Sequence, residues 1–125
     1  MKAILNKLTL RQQKGYQAEQ AARKYLEKQN FVFLQANFHS RHGEIDLIMQ
    51  DADAIVFVEV RYRANEQWGS ALESIDSRKQ ERIKKTALHY LHKNNAHESA
   101  VRFDVIAMQA DNDKPLEINW VKNAF

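Results

Sequence analysis

The sequence has no cysteine, one proline and three glycines among its 125 residues. The lack of cysteine excludes disulfide bonds and thiolate zinc sites, and it is typical of a cytoplasmic protein. The scarcity of proline and glycine excludes a linker rich in these residues, and no repeat or low-complexity tract divides the chain. No apolar run approaches the roughly 18 residues of a membrane span. These absences predict a cytoplasmic protein with no membrane partner.

The length of the chain predicts one folded domain. Residues 1–12 are expected to form a flexible or short helical segment, and residues 13–125 a single domain. The net charge is only +3, but seven of the 19 basic residues lie between positions 61 and 85. This basic stretch comprises Arg61, Arg63, Arg78, Lys79, Arg82, Lys84 and Lys85. Its charge favours an anionic partner such as a nucleic acid.

Apolar periodicity predicts a mixed α/β fold. Helices are predicted over residues 13–29 and from Ser77 to Asn94, the second with a capping box at Ser77 and Gln80. Strands are predicted over residues 31–38, 44–49, 55–62, 101–108 and 116–121. Short turns favour antiparallel pairing of the first three strands, and the helix before the fourth favours a parallel pair. The expected order is α-β-β-β-α-β(-β), a mixed sheet flanked by helices, with its third strand buried on both faces.

Two of the apolar strands carry charged side chains, which are costly there unless they have a function. Glu44 and Asp46 lie in one strand, and Glu59 and Arg61 in the next. Because side chains alternate along a strand, each pair is predicted to share one face. Carboxylates on neighbouring strands can bind Mg²⁺, which neutralises a phosphate and makes hydroxide available. Asp46, Glu59 and Glu44 are therefore candidate metal ligands; the alternatives are edge-strand charges or an ion pair with Arg61.

Glu19 and Glu44 are candidate accessory acids, and the sequence leaves open whether either side chain reaches the acidic centre. Glu19 lies at the border of the apolar face of the first helix, where helix geometry alone favours a surface position. If that helix packs over the sheet, Glu19 enters the acidic centre. Glu44 either reaches the metal or is a solvated residue at the end of its strand.

Several residues are candidate contacts to nucleic acid. Arg61 would bind the scissile phosphate, unless it forms a salt bridge to Asp46 or Glu59. Arg63, Lys79 and Arg82 belong to the basic stretch and are candidate phosphate contacts, with a solvated side chain as the alternative for Lys79. Trp68 either stacks on a base or folds back on the core.

Two further groups of residues are interpreted as structural or solvated. Asp104 lies on the fourth predicted strand, which is expected to be central, so a pair with Arg102 or with a basic residue of the third strand is predicted. The histidines occur at spacings His39-x-x-His42 and His89-x-x-His92, without cysteine or a supporting acid. Solvated histidines are expected at these positions.

The motifs of this chain resemble those of the YraN family of small bacterial proteins. They run in order from about residue 14 to 109 and comprise Gly15 with Glu19, Gly43 to Ile48, Phe57 to Arg61, Lys79, and Arg102 to Val105. The family looks like the restriction-endonuclease fold and especially like archaeal Holliday-junction resolvases. The resemblance implies that Asp46, Glu59 and Arg61 stand at the Asp…Glu-x-Lys positions of that superfamily, with Glu19 as another acid.

The resemblance implies an endonuclease that acts on DNA, branched or structured DNA included, with Mg²⁺ or Mn²⁺. Arg61 stands where the family pattern has lysine, and arginine binds phosphate but is poorly suited to activating water. A weakened nuclease is therefore expected, with a homodimer where two strands are cut symmetrically. The alternatives are a catalytically inactive nucleic-acid-binding module and a protein-interaction adaptor on the same fold.

Overall fold

A computed structural model describes residues 10–64, 73–110 and 117–125 as one sheet with two helices. The elements are α1 (Leu10–Lys28), β1 (Val32–Ser40), β2 (Gly43–Asp51), β3 (Ala54–Ala64), α2 (Ser77–Lys93), β4 (Ala100–Ala110) and β5 (Glu117–Val121). This order confirms the predicted α/β class and the α-β-β-β-α-β-β succession. β2, β3 and β4 extend one or two residues beyond their predicted bounds at each end, and the ends of the other elements lie within three residues of the prediction.

The sheet is mixed, and its strands stand side by side in chain order from β1 to β5. β1, β2 and β3 pair antiparallel through short turns, β3 and β4 pair parallel, and β5 returns antiparallel to β4. The parallel pair follows from α2, because a parallel neighbour requires a crossover long enough to return to the same end of the sheet. Both predicted pairing senses are therefore confirmed.

Two apolar cores lie on opposite faces of the sheet. On one face α1 packs Ala18, Ala22 and Leu26 against the strands. On the other face α2 buries a helical stripe that includes Ile83 and Leu91. β3 lies between the two cores and is buried from residue 55 to 60, as its continuous apolar sequence predicts. Within the described part of the chain, no helix is both long and apolar enough to cross a membrane.

The start of α2 differs from the prediction. Asp76, rather than Ser77, is the N-cap residue, and its Oδ1 accepts a hydrogen bond from the Lys79 N–H at 2.9 Å. The predicted capping box at Ser77 and Gln80 is therefore wrong, because Ser77 is already the first helical residue. Asp76 satisfies one of the free N–H groups of the first turn and fixes the start of α2 at the position that aims Lys79 at the sheet.

The turn between β1 and β2 is attached to α2 by hydroxyl groups. Ser40 Oγ donates to Thr86 Oγ1 at 3.3 Å, and Thr86 Oγ1 donates to the Arg82 carbonyl oxygen at 2.8 Å. The His42 N–H donates to Ser40 Oγ at 3.0 Å and closes the turn. Thr86 is fully buried, so water does not compete for these bonds. The turn is thereby held at a fixed position along α2.

Gly43, directly after this turn, has a φ of +151°, a backbone conformation that residues with a side chain rarely adopt. We expect Gly43→Ala to lower the free energy of unfolding by about 1–3 kcal/mol because of this backbone strain. Urea unfolding followed by circular dichroism measures the change. Gly15→Ala is the matched control, since Gly15 lies in α1 with open space around it. That change should stabilise the protein by roughly 0.5–1 kcal/mol, and an equal gain at Gly43 would contradict the strain.

Candidate functional site

The sheet divides at the two carboxylates singled out by the sequence. In the described strands, the last pair between β2 and β3 is Leu47 with Val58. Beyond it β2 continues beside β1, and β3 continues beside β4 as far as Ala64. Asp46 and Glu59 are the next residues on the two diverging strands. The Asp46 Oδ2 atom accepts a hydrogen bond from the Val60 N–H at 2.9 Å, so a side chain replaces the main-chain acceptor lost at the fork.

The alternation of side chains is interrupted at the same level. Asn37, on β1, has a φ of +52°, outside the range of a strand. On β2, Ile45 packs in the core under α2, whereas Leu47 packs in the core under α1. Residues two apart on a regular strand would share a face. The predicted alternation therefore breaks between Ile45 and Leu47, whereas Glu44 and Asp46 line one cleft, in agreement with the face that they were predicted to share.

A cleft of about 650 Å³ opens at the fork, between the β1–β2 turn and the first turns of α2. It is lined by His39, Ser40, Arg41, His42, Gly43, Glu44, Asp46, Glu59, Arg61, Lys79, Arg82 and Ile83. Most of the predicted site residues therefore meet in one place. Two predictions are not reached by the structure: Trp68 and the side chain of Arg63 lie outside its described part.

Glu59 is the most deeply buried charge of the cleft, with 3% of its surface exposed. Its Oε2 atom lies 3.6 Å from Arg61 Nη2 and 3.8 Å from Lys79 Nζ, so the predicted ion pair with Arg61 is present. Lys79 is thus not simply solvated. Among the described residues, Glu59 Oε1 and Arg61 Nε are buried without a hydrogen-bond partner. Burial, and then the charge of Asp46, raise the pKa of Glu59 to about 8, against the opposing effect of the two cations.

The charged forms of Asp46 and Glu19 are also disfavoured. Burial raises the pKa of Asp46, while the Val60 N–H and Arg61 oppose the rise. Glu19 is half-buried and reaches the acidic centre from α1, which decides the alternative left open by helix geometry. Burial and the neighbouring Asp46 raise the pKa of Glu19 to about 7. Three carboxyl groups therefore lie together without enough positive charge to keep all of them ionised at neutral pH.

Asn37 contacts two of the acidic residues and was missed by sequence reasoning. With its amide nitrogen turned toward the carboxylates, Asn37 donates to Glu44 Oε1 at 3.0 Å and to Glu19 Oε1 at 3.2 Å. It thereby links β1, β2 and α1 at the level of Asp46. The sequence feature that could have identified Asn37 is its position as a polar residue in the middle of an apolar strand. Its partners depend on the hairpin register and on the position of α1, which local patterns do not specify.

The histidines of the turn lie at the rim of the cleft. His39 Nε2 is 3.7 Å from Glu44 Oε1, and both side chains are substantially exposed, as predicted for solvated residues. Among the described residues, no three side chains of His, Cys, Asp or Glu converge as a ready-made metal cage. A metal at this cleft would therefore depend on few protein ligands.

Asp104 is a second buried carboxylate, and in contrast to Glu59 both of its oxygens accept hydrogen bonds. Asp104, fully buried on β4, accepts hydrogen bonds from Arg102 Nε and Nη2 at 2.9 and 3.0 Å. Trp120 Nε1 and the Asn123 N–H also donate to it, each at 2.9 Å. Arg102 extends the network to Asp51. The predicted pair of Asp104 with Arg102 is confirmed, and the residue lies outside the cleft as a structural group.

The donor set of the cleft fits a hard divalent cation. Mg²⁺ typically binds through one or two carboxylates and keeps several water ligands, so a cage of three side chains is not required. Asp46 and Glu59 supply a half-buried and a buried carboxylate on adjoining strands, and Glu59 Oε1 is an acceptor without a donor. A divalent charge beside them would favour their ionised forms. These residues could therefore hold Mg²⁺ or Mn²⁺, with Glu44 at the open side.

Comparisons with known proteins identify the family of the chain but give no activity. A protein from Colwellia psychrerythraea is 46% identical over 90% of this chain and 88% of its own length. A protein from Pseudomonas syringae is 42% identical over 92% of this chain and 94% of its own length. Both are described only as UPF0102 proteins. Residues 18–108 match the family model of the uncharacterised protein family UPF0102, which is the YraN family, and the chain belongs to it.

Proposed function

We propose that this protein is a metal-dependent endonuclease that hydrolyses phosphodiester bonds of DNA, branched or structured DNA included. The observation that carries the proposal is the unpartnered, buried Oε1 of Glu59 beside Asp46. The proposal is also supported by three cations that line the same cleft and would bind a phosphate, Arg61, Lys79 and Arg82. Burying carboxylates that lack sufficient counter-charge lowers stability, and such a cost is typical of a functional site.

Asp46 and Glu59 would hold Mg²⁺ or Mn²⁺, with Glu44 as an accessory ligand. When bound, the metal would stabilise charge on the phosphate and lower the pKa of a water molecule. The hydrogen bond from the Val60 N–H holds Asp46 in place at the fork. Glu19, which reaches the acidic centre from α1, would serve as an accessory acid beside these ligands.

Arg61 and Lys79 would have different roles in the cleft. Arg61 stays protonated and is suited to binding the phosphate, but not to accepting a proton from water. Lys79 approaches the same Glu59 oxygen from α2 and supplies the compact ammonium that the third strand lacks. An enzyme of this kind would act in the cytoplasm, and symmetric cleavage of a junction would require two copies of the chain.

The first test is the substitution Asp46→Asn. The amide oxygen introduced by this change could still accept the Val60 N–H, so we expect the fold to persist while metal affinity and cleavage fall. The loss should be at least the roughly 10–100-fold that removal of an outer-shell partner costs. Calorimetric titration with Mg²⁺ and Mn²⁺ measures the affinity, and nicking of branched and linear DNA measures activity. Asp53→Asn, at the exposed β2–β3 turn, is the matched control.

Wild-type protein that binds neither metal, with DNA present, would contradict the proposal, as would unchanged cleavage by the Asp46→Asn variant. Arg61 in place of lysine then favours a nucleic-acid-binding module without catalysis. Such a module would bind DNA with a log–log salt slope of about 0.9 per phosphate contact and would not nick it. Negligible DNA binding at physiological salt would favour the protein-interaction adaptor instead.

A further inference from the structure

A second groove of about 600 Å³ lies on the other side of the β1–β2 turn. It is lined by Ser40, Arg41, His42, Lys85, Leu88, His89 and His92, and is called the basic groove below. Ser40, Arg41 and His42 also line the acidic cleft. The turn therefore forms a wall common to the cleft and the basic groove. A polymer that passes from the cleft over Arg41 would enter the basic groove directly.

The basic groove differs from the cleft in charge. None of its lining residues is acidic, whereas the cleft contains Glu44, Asp46 and Glu59. Arg41 and Lys85 are exposed cations, and the histidine rings offer N–H donors. Leu88 is 65% exposed between them. Cations and N–H donors around an apolar contact suit a sugar–phosphate backbone, which alternates anionic groups with less polar sugars.

The cations and the histidine N–H donors follow one line from the cleft into the basic groove. Arg82 lies in the cleft, and Lys85, His89 and His92 line the groove at helical spacings of three or four residues. From residue 82 to 92 the helix rises roughly 15 Å, which is the axial rise of about four base pairs of DNA. The bonds through Ser40 and Thr86 fix the turn against this line, so both walls are preorganised.

We propose that the basic groove binds the phosphodiester backbone of DNA beyond the phosphate that would lie in the cleft. This inference rests on the proposed function, because it takes the cleft as the point at which the DNA is cut. It assigns a binding role to Arg41 and Lys85, with His89 and His92 as further donors. It also divides the basic stretch, since Arg78 and Lys84 line neither the cleft nor the groove.

The neighbouring lysines of α2 provide a matched test. Lys85→Glu and Lys84→Glu change the net charge equally, but only Lys85 lines the basic groove. Anisotropy of a labelled duplex and a labelled four-way junction would be measured with the full chain in EDTA, from 50 to 300 mM salt. We expect Lys85→Glu to weaken binding at least 5- to 10-fold near 0.1 M salt and to lower the salt slope by about 0.9. Lys84→Glu should leave the slope unchanged.

A variant on a different element guards against a folding defect in α2. Arg41→Glu, in the exposed turn, should reproduce the loss of affinity and of salt slope seen with Lys85→Glu. Circular dichroism would verify that each variant is folded. Equal losses in Lys85→Glu and Lys84→Glu would overturn the assignment, because net charge alone would then explain them. Tighter binding of RNA of the same sequence, with the same dependence on Lys85, would overturn DNA as the ligand.

The metal-free assay separates this inference from the proposed nuclease. Asp53→Asn should bind DNA in EDTA as the wild type does, since Asp53 lies in the exposed β2–β3 turn and lines neither the cleft nor the basic groove. Selective loss of binding in Lys85→Glu, with no cleavage by the wild type, would support the groove and refute the nuclease. Metal binding and cleavage by the wild type, with no difference between the two lysine variants, would refute the groove alone.

Discussion

The Glu59→Gln variant is expected to be more stable than the wild type at pH 8 without metal, and to lose most of the pH dependence of stability. The pKa of Glu59 is about 8 in the folded protein and ordinarily about 4.5. Between these values the folded state holds a proton that the unfolded chain releases. The contribution of Glu59 to stability is therefore fully present below pH 4.5 and is lost as the pH rises through 8. Each unit of raised pKa corresponds to roughly 1.4 kcal/mol.

Urea unfolding in EDTA at pH 5, 6.5 and 8 would measure this dependence. Glu98→Gln is the matched control, because Glu98 is exposed outside the cleft and the same amide there should leave the wild-type profile unchanged. A residual slope is expected in Glu59→Gln, since Glu19 also has a raised pKa, about 7. Identical profiles for Glu59→Gln and the wild type would show that Glu59 is not destabilised by ionisation in the folded protein.

Divalent metal should reverse the effect in the wild type. A ligand that binds only the folded state adds stability in proportion to the logarithm of its concentration above Kd. Mg²⁺ is therefore expected to raise the unfolding temperature of the wild type at pH 8 and to leave Glu59→Gln nearly unchanged. Equal stabilisation of both proteins would place the metal elsewhere.

The second large effect is expected for Asp104→Ala, with a loss of about 3–5 kcal/mol in the free energy of unfolding. Removal of the carboxylate leaves Arg102 without its buried partner and leaves the donors of Trp120 and Asn123 unsatisfied. Because small domains are stable by only about 5–15 kcal/mol, the variant should be close to unfolding at 37 °C. Denaturant unfolding at 10–25 °C measures the difference.

Asp51→Ala is the matched control for this network. Asp51 binds the same Arg102 at 3.1 Å, but its side chain is 37% exposed, so its loss should cost no more than about 1 kcal/mol. A cost at Asp104 as small as that at Asp51 would contradict the buried network. Calorimetry of Mg²⁺ at low temperature should show unchanged affinity in both variants, since neither residue lines the cleft.

The succession of elements could be predicted because it depends on local periodicity. The continuous apolar segment from Ile55 to Val58 indicated a strand covered on both faces, and α1 and α2 supply those covers. The parallel pairing of β3 with β4 followed from the helix between them. The N-cap was placed one residue late, because Asp76 and Ser77 are both good capping residues and only backbone geometry separates them.

The candidate site could be predicted in its members but not in its arrangement. Asp46 and Glu59 were singled out as charges on apolar strands, and they lie where the sheet divides. An apolar pattern with a period of two predicts neither the division of the sheet nor the irregular backbone at Asn37. The contact of Lys79 with Glu59 joins residues 20 positions apart on different elements. Such contacts depend on how α2 packs, which is a property of the whole core.

By itself the sequence determined the order of helices and strands, the class of fold and the identity of the charged residues. These follow from interactions between near neighbours in the chain. Only the tertiary structure decided that Glu59 is buried with an unpartnered oxygen, while Asp104 is buried with four donors. The two carboxylates look alike in sequence, since each follows an apolar residue on a strand. What separates them is desolvation and partner geometry, and both depend on distant elements that meet only in the folded protein.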